Sequence, residues 1–335
     1  MIKKIILAII LSLSLFSDET LQQIKTDLDQ AEKDYNISKK MFNPWYGGPL
    51  ITASGNVMPP KYVNIYSLLT VADTYSVNTA QRKRESIPNV INVSPLLDIG
   101  VGIVNRLDTH VTFLGLYTQQ SGQHYFNIGD TTLNFDVGLL YEKVYTPALK
   151  LILAETFPTG NYENFETDKA YVSSTGSGSY ATKFGLATSK VVWWWLTHPM
   201  QFRYTFNFQF FSDVNVKGIN SYGGGLGTDG TVSPGFIFAT SLGYEFSVTQ
   251  KFVLALDVAY EYHDDTTFIG NPGIIALGVP APIGSSSRST ISLAPALEYV
   301  FNPSSVVVGG VWFSVYGTSG TPNFIAGFLS YSYGF

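Results

Sequence analysis

Gln201–Phe211 reads QFRYTFNFQFF, and its alternation decides the fold class. Phe202, Tyr204, Phe206, Phe208 and Phe210 share one face of an extended strand, while Gln201, Arg203, Thr205, Asn207 and Gln209 share the other, because successive strand side chains point to opposite sides. As the inner face of a soluble sandwich, five aromatics in register would crowd a core. Turned outward against lipid, with the polar face lining a wet lumen, they make a strand of an outer-membrane barrel. Three further stretches repeat the pattern. Leu133, Phe135, Val137, Leu139 and Tyr141 alternate with Asn134, Asp136, Gly138 and Glu142. Phe252, Leu254, Leu256, Val258 and Tyr260 alternate with Ala255, Asp257, Ala259 and Glu261, and Ile291, Leu293, Leu297 and Tyr299 with Thr290, Ser292, Ala294 and Glu298. Carboxylates in mid-strand are costly in a dry core and ordinary in a lumen.

Composition agrees. The chain has 335 residues, 45% hydrophobic, 15% aromatic and 13% charged, with 31 glycines. A soluble domain carries about 25% charged residues, so a soluble enzyme is disfavoured, and the aromatic content excludes disorder. No apolar run reaches the ~18 residues of a membrane helix. The net charge of −5 gives no basis for a nucleic-acid partner. The absence of cysteine excludes disulfides and Cys-ligated metal and suits an envelope protein. No cofactor or metal is expected.

Three segments follow. Residues 1–17 (MIKKIILAIILSLSLFS) have a basic start at Lys3 and Lys4, an apolar run from Ile5 to Phe16 and the small Ser17, the signature of a cleaved signal peptide. An uncleaved membrane helix is the alternative, against which the short run and the acidic residues that follow both weigh. Residues 18–60 combine a helical pattern over 18–36, with Leu21, Ile24, Leu28, Ala31 and Tyr35 on one stripe, and a Pro/Gly-rich periplasmic or plug segment over 41–60. The helix needs a surface: a periplasmic partner, a second copy, or the barrel mouth. A coiled-coil seam would need more heptads.

Residues 61–335 divide into about twelve strands, near 61–72, 88–103, 108–119, 130–142, 147–157, 178–189, 200–212, 234–247, 251–262, 288–300, 305–317 and 323–335. Connections near 105–107, 143–146, 249–250 and 302–304 read as tight turns and 193–198 as moderately short, whereas 73–87, 158–177, 213–233 and 263–287 read as long loops. Short periplasmic turns and long external loops are the asymmetry of such barrels, and an even strand count puts both barrel ends on the periplasmic side. The expected fold is therefore all-β: a transmembrane antiparallel up-and-down barrel with a short N-terminal periplasmic helix, exported to a bacterial outer membrane. Trp193, Trp194 and Trp195, with Tyr331, Tyr333 and Phe335, read as a girdle at the headgroup level; simple turn packing is the alternative for the tryptophans. The terminal aromatic strand ending in Phe335 also resembles the C-terminal signature of bacterial outer-membrane proteins, which implies recognition by the barrel-assembly machinery.

Asn43-Pro44-Trp45-Tyr46-Gly47-Gly48-Pro49-Leu50, then Ala53-Ser54-Gly55, Pro59-Pro60 and Val63-Asn64-Ile65, resembles the start of a bacterial family named for the meta-cleavage pathway of phenol degradation. Ile128-Gly129-Asp130 opening a strand and Glu155-Thr156-Phe157-Pro158-Thr159-Gly160 closing one are also similar. The likeness covers roughly residues 43–335 and departs at Gly47, where the family usually has Thr, and in the added helix. It implies an outer-membrane transporter for small molecules and identifies no substrate.

Residues carrying chemistry are few. His110, His124, His198 and His263 are the only histidines. His263, beside Asp264 and Asp265 at an outer rim, is the one placed for a lipase triad or a metal, but no GxSxG-like context supports it. Glu163, Glu166 and Asp168 in another loop, with Asp264 and Asp265, could hold Ca²⁺ or bridge cations to lipopolysaccharide, although acidic loops are common without either. Gly223-Gly224-Gly225 lacks the lysine and strand-to-helix setting of a phosphate loop.

Face assignment places Asp98, Asp136, Glu142, Lys150, Lys183, Arg203, Glu245, Asp257, Glu261, Arg288 and Glu298 in the lumen. They form either a plug of ion pairs that keeps the barrel folded or charge rings that bias which solutes pass. Arg203, mid-strand among amides, is the first charge to suspect of function. The leading expectation is passive passage of small, apolar or aromatic solutes. A closed barrel whose loops bind surface partners comes second, and a barrel lipase third.

Overall fold

The computed structural model describes residues 20–35, 46–195, 198–275 and 278–335. The leader at 1–17 and Asn43–Trp45 of the family-like segment lie outside these residues. In chain order the elements are a helix α1 (residues 20–35), then β1 (Val63–Asn78), β2 (Arg84–Val104), β3 (Leu107–Gln120), β4 (Gln123–Ile128), β5 (Thr131–Leu140), β6 (Ala148–Phe157), β7 (Ala181–Trp195), β8 (His198–Phe211), β9 (Val214–Lys217), β10 (Asp229–Ser233), β11 (Ile237–Ser247), β12 (Phe252–His263), β13 (Thr267–Asn271), β14 (Arg288–Asn302), β15 (Ser305–Gly317) and β16 (Pro322–Gly334).

These build a closed antiparallel barrel of twelve wall strands. Each wall strand pairs with its chain neighbours, and β1 pairs with β16 from Asn64↔Gly334 to Val77↔Pro322 to close the ring. Val63 and Phe335 exchange backbone hydrogen bonds at 2.8 and 2.9 Å, so the last residue seals the first strand. β4 and β5 share one wall position, interrupted at Gly129–Asp130. The alternation of β8 becomes inverted burial: Phe202, Tyr204, Phe208 and Phe210 are exposed, while Gln201, Arg203 and Thr205 are buried. Leu254, Leu256 and Val258 of β12 are likewise exposed around a buried Asp257. So much exposed apolar surface is stable only against lipid. Among the described residues no helix is long and apolar enough to cross a membrane.

All twelve expected strands are present. The loop expected at 73–87 is instead mostly hairpin, because Ser76↔Ser86 and Val77↔Glu85 continue the β1–β2 ladder. The Trp193–Trp195 stretch belongs to the end of β7 rather than to a turn. The long loops 212–236 and 264–287 are not mere flexible links. They contribute a separate sheet of order β13-β10-β9, and Val214, Val216 and Val232 form its core with Tyr162, Tyr222, Phe268 and Ile283. The loop after β6 is tied down by Asp130, whose carboxylate accepts the N–H of Gly160 at 2.9 Å and of Ser177 at 2.8 Å.

Helix α1 leaves Leu21, Ile24 and Leu28 exposed. Its last residue, Tyr35, meets the Trp193 ring edge-on at 4.7 Å, with Lys190 Nζ 5.6 Å from the Tyr35 ring centre. This favours the barrel mouth among the surfaces expected for it, and it turns Trp193 toward the helix rather than into a lipid girdle. Tyr331, Tyr333 and Phe335 are exposed at the same, short-turn end.

Candidate functional site

Residues 46–60 have no regular structure, and they cross the lumen. Several of their anchors lie on one register row of the wall, Ala148–Ser189–Arg203–Gly243–Asp257, running from β6 through β7, β8 and β11 to β12. Paired residues in adjacent strands share a face, so the row points inward together. Asp257 accepts the Ile51 N–H at 2.8 Å and, on its other oxygen, the Thr52 N–H at 3.2 Å and hydroxyl at 2.6 Å. Ser189 Oγ accepts the Gly55 N–H at 3.0 Å. Outside the row, Glu298 accepts the Gly47 N–H at 2.8 Å, Tyr46 OH receives the Ser247 hydroxyl at 3.0 Å, and Asp108 accepts the Met58 N–H at 2.5 Å. A non-periodic segment carries unpaired N–H groups that would be costly in a closed lumen, and inward carboxylates satisfy several of them.

Small residues give the segment room. A Cβ on Gly102 would lie 1.9 Å from the Pro59 carbonyl oxygen. Gly48 adopts φ +99° and faces Arg203, a conformation that L side chains rarely adopt. Gly47, where the family-like pattern has Thr, has no space for a side chain: a Cβ would meet Val306 Cγ1 at 2.3 Å. On the same flank Leu50 and Ile51 pack on an apolar cluster that includes Ala255, Ala296, Val306, Val308 and Phe328.

Arg203 is 7% exposed and Glu245 fully buried. Their contact is forked, Nε to Oε2 at 2.7 Å and Nη2 to Oε1 at 3.0 Å, and Nη2 also donates to Gln201 at 2.9 Å. Arg203 is thus the counter-charge of a buried acidic set, Glu245, Asp257 and Glu298, and not a free charge in a pore. A second set lies toward β3: Lys150 pairs with Asp136, and His110 Nδ1 meets Asp98 at 2.8 Å. Asp108, His110 and Asp136 come close enough for a cation, their ligand atoms within 4.8 Å of one another, but Lys150 already neutralises Asp136. Glu142 lies past the end of β5, beside Lys190 at 3.4 Å and accepting the Val191 N–H at 3.0 Å. That is the short-turn rim, not the lumen wall.

Lys183, Glu261 and Arg288 lie higher. Lys183–Gln209–Ile237–His263–Arg288 forms a second inward row, six residues up each strand from the anchoring row, roughly 20 Å at strand rise. Between them lies a cavity of about 560 Å³, lined by the apolar Leu50, Leu68, Trp312 and Phe324 and by the polar Asn207, Glu261 and Arg288. His263 and Arg288 also border an outer cleft of about 340 Å³ under the loops. His263 Nε2 is engaged by Glu261, and no serine hydroxyl among the described residues is hydrogen-bonded to it. The acidic loop residues do not gather into one site: Glu163 accepts the Lys217 N–H at 2.8 Å, Glu166 pairs with Lys169 at 2.6 Å, and Asp264 receives the Tyr262 hydroxyl at 3.0 Å.

Sequence reading missed Thr52, Ser189 and Asp108 as anchors and set His110 aside. The inward alternation Asp108, His110, Thr112 carried the signal for the last two, whereas nothing local marked Thr52.

No protein-family profile and no curated protein matches the sequence. Among solved structures, the COG4313 outer membrane channel from Pseudomonas putida F1 superposes with a TM-score of 0.64 at 14% identity, covering 83% of this chain and 97% of that one. The transport unit of the autotransporter AIDA-I from Escherichia coli gives 0.44 at 12% identity, covering 90% and 98%. The toluene transporter TodX from Pseudomonas putida gives 0.36 at 12%, covering 83% and 90%. The first likeness bears on the fold; the other two backbones are too different to add to it.

Proposed function

We propose that the protein is an outer-membrane channel that passes small solutes with apolar or aromatic bodies by passive diffusion. The observation that carries this is the chamber of about 560 Å³ between the two inward rows, which shares His263 and Arg288 with the cleft under the loops. Its size suits a small molecule, and its mixed lining suits one with both apolar and polar parts. Residues 46–60 occupy the short-turn end and act as the constriction. The resemblance to the phenol meta-pathway family and the barrel shared with a known channel support the reading. Export by the 1–17 leader, insertion through the C-terminal strand and contact of the outer rim with lipopolysaccharide belong to the same proposal, and no catalytic role is assigned. Liposomes containing the purified barrel should take up phenyl glucoside, an aromatic solute that bare bilayers exclude, faster than empty ones; equal rates would remove the channel reading.

A second reading rests on the loop sheet. It has its own core and exposes Ile269, and the loop after β6 exposes Tyr171, as a surface-binding barrel would. Loop deletions that abolish cell-surface binding without changing permeability would favour it.

A further inference from the structure

We propose that the chamber is a binding site for amphipathic monocarboxylates, solutes with an apolar or aromatic body and one carboxylate. This rests on the channel reading and names the substrate class. The first observation is a contrast in pairing. In the lower lumen Arg203 and Lys150 each hold a carboxylate. Among the described residues, Lys183 and Arg288 of the upper row form no ion pair and no side-chain hydrogen bond. Both face inward by register, at the two ends of the five-strand row; Arg288 lines the chamber, and Lys183 lies outside its lining at the other end of the row.

The groups facing them leave a net positive charge. Glu261 is the one carboxylate lining the chamber; His263 engages it, and the charges of Lys183 and Arg288 both act on it, so two cations share one carboxylate. Asp264 borders the outer cleft and is held by Tyr262, and Asp265 takes the Ser287 N–H. Excess positive charge in a narrow, low-dielectric cavity attracts anions strongly, and a guanidinium offers a fork that matches one carboxylate.

The second observation is the apolar lining. Leu50, Leu68, Trp312 and Phe324 line the same cavity as Arg288, and Trp312 and Phe324 meet edge-on at 4.9 Å. An inorganic anion would gain nothing from that surface, and a neutral hydrocarbon nothing from the cations. A molecule with both parts uses both kinds of lining.

The test is calorimetric titration of the folded barrel in detergent with sodium benzoate and with benzamide, its neutral counterpart, alongside planar-bilayer recordings. Benzoate should bind saturably and at least tenfold more tightly than benzamide. Arg288→Gln and Lys183→Gln should each weaken benzoate several-fold, and the double variant should erase the preference. Equal affinity for the two probes, or a preference that survives the double variant, overturns the proposal. Should Arg288→Gln fail to fold, Lys183→Gln and the wild-type comparison decide the matter. Preferential benzoate binding in a barrel without conductance would sink the channel reading and leave the site standing.

Discussion

The Asp257 carboxylate, fully buried on β12, accepts the Thr52 hydroxyl at 2.6 Å, joining residues 205 positions apart in sequence. With the backbone of Ile51 and Thr52 it gives one side chain three bonds to the segment that fills the short-turn end. Asp257→Ala should therefore loosen residues 46–60 without opening the wall, since β12 keeps its ladders to β11 and β14. The chain has no cysteine, so Ile51→Cys gives a background-free probe. A water-soluble thiol reagent should modify it at least tenfold faster with Asp257→Ala than without. Equal rates would mean that Asp257 does not hold the segment.

Arg203→Ala should cost roughly 3–5 kcal/mol, the cost of leaving buried charge uncompensated, because Glu245, Asp257 and Glu298 lose their counter-ion. Replacing Arg203 and Glu245 together by Met should cost less than the single change. Thermal unfolding of the purified barrel reads both; a neutral single variant would show that water or a proton already compensates the acids.

Asp130 fixes the loop after β6 through Gly160 and Ser177. Asp130→Ala removes these bonds, at about 1 kcal/mol each, and frees the loop that carries Lys169. Trypsin should then cut after Lys169 while the barrel fragments stay associated. A cleavage rate equal to the wild type would place the loop's restraint elsewhere.

The outward face is testable at Leu256, which is exposed in the middle of β12. Leu256→Arg should lower folding stability in bilayers by roughly 2–4 kcal/mol, the cost of a cation near the midplane. Urea unfolding from vesicles measures it, and no loss would contradict a lipid-facing Leu256.

Strands and site differed in how far they were legible. The strands were legible because a barrel wall repeats one local rule, apolar out and polar in, so QFRYTFNFQFF alone carried it. The inward placement of Arg203, Glu245, Asp257 and Glu298 came from the same rule. Their joint role did not, because it depends on residues 46–60, which have no period and bind acids about 200 to 250 positions away. The loop sheet was missed because Val214-Asn215-Val216-Lys217 is too short to stand out among Gly and Ser. Trp193 looked like a girdle residue for want of any local sign that Tyr35 would meet it.

The most direct measurement of the central claim, a small-solute channel constricted by residues 46–60, is single-channel conductance in planar bilayers for the wild type and Asp257→Ala. The account predicts small steps for the wild type and steps several-fold larger for the variant, since the wall is unchanged and only the constriction is loosened. Silence from both proteins, or identical steps, would contradict it.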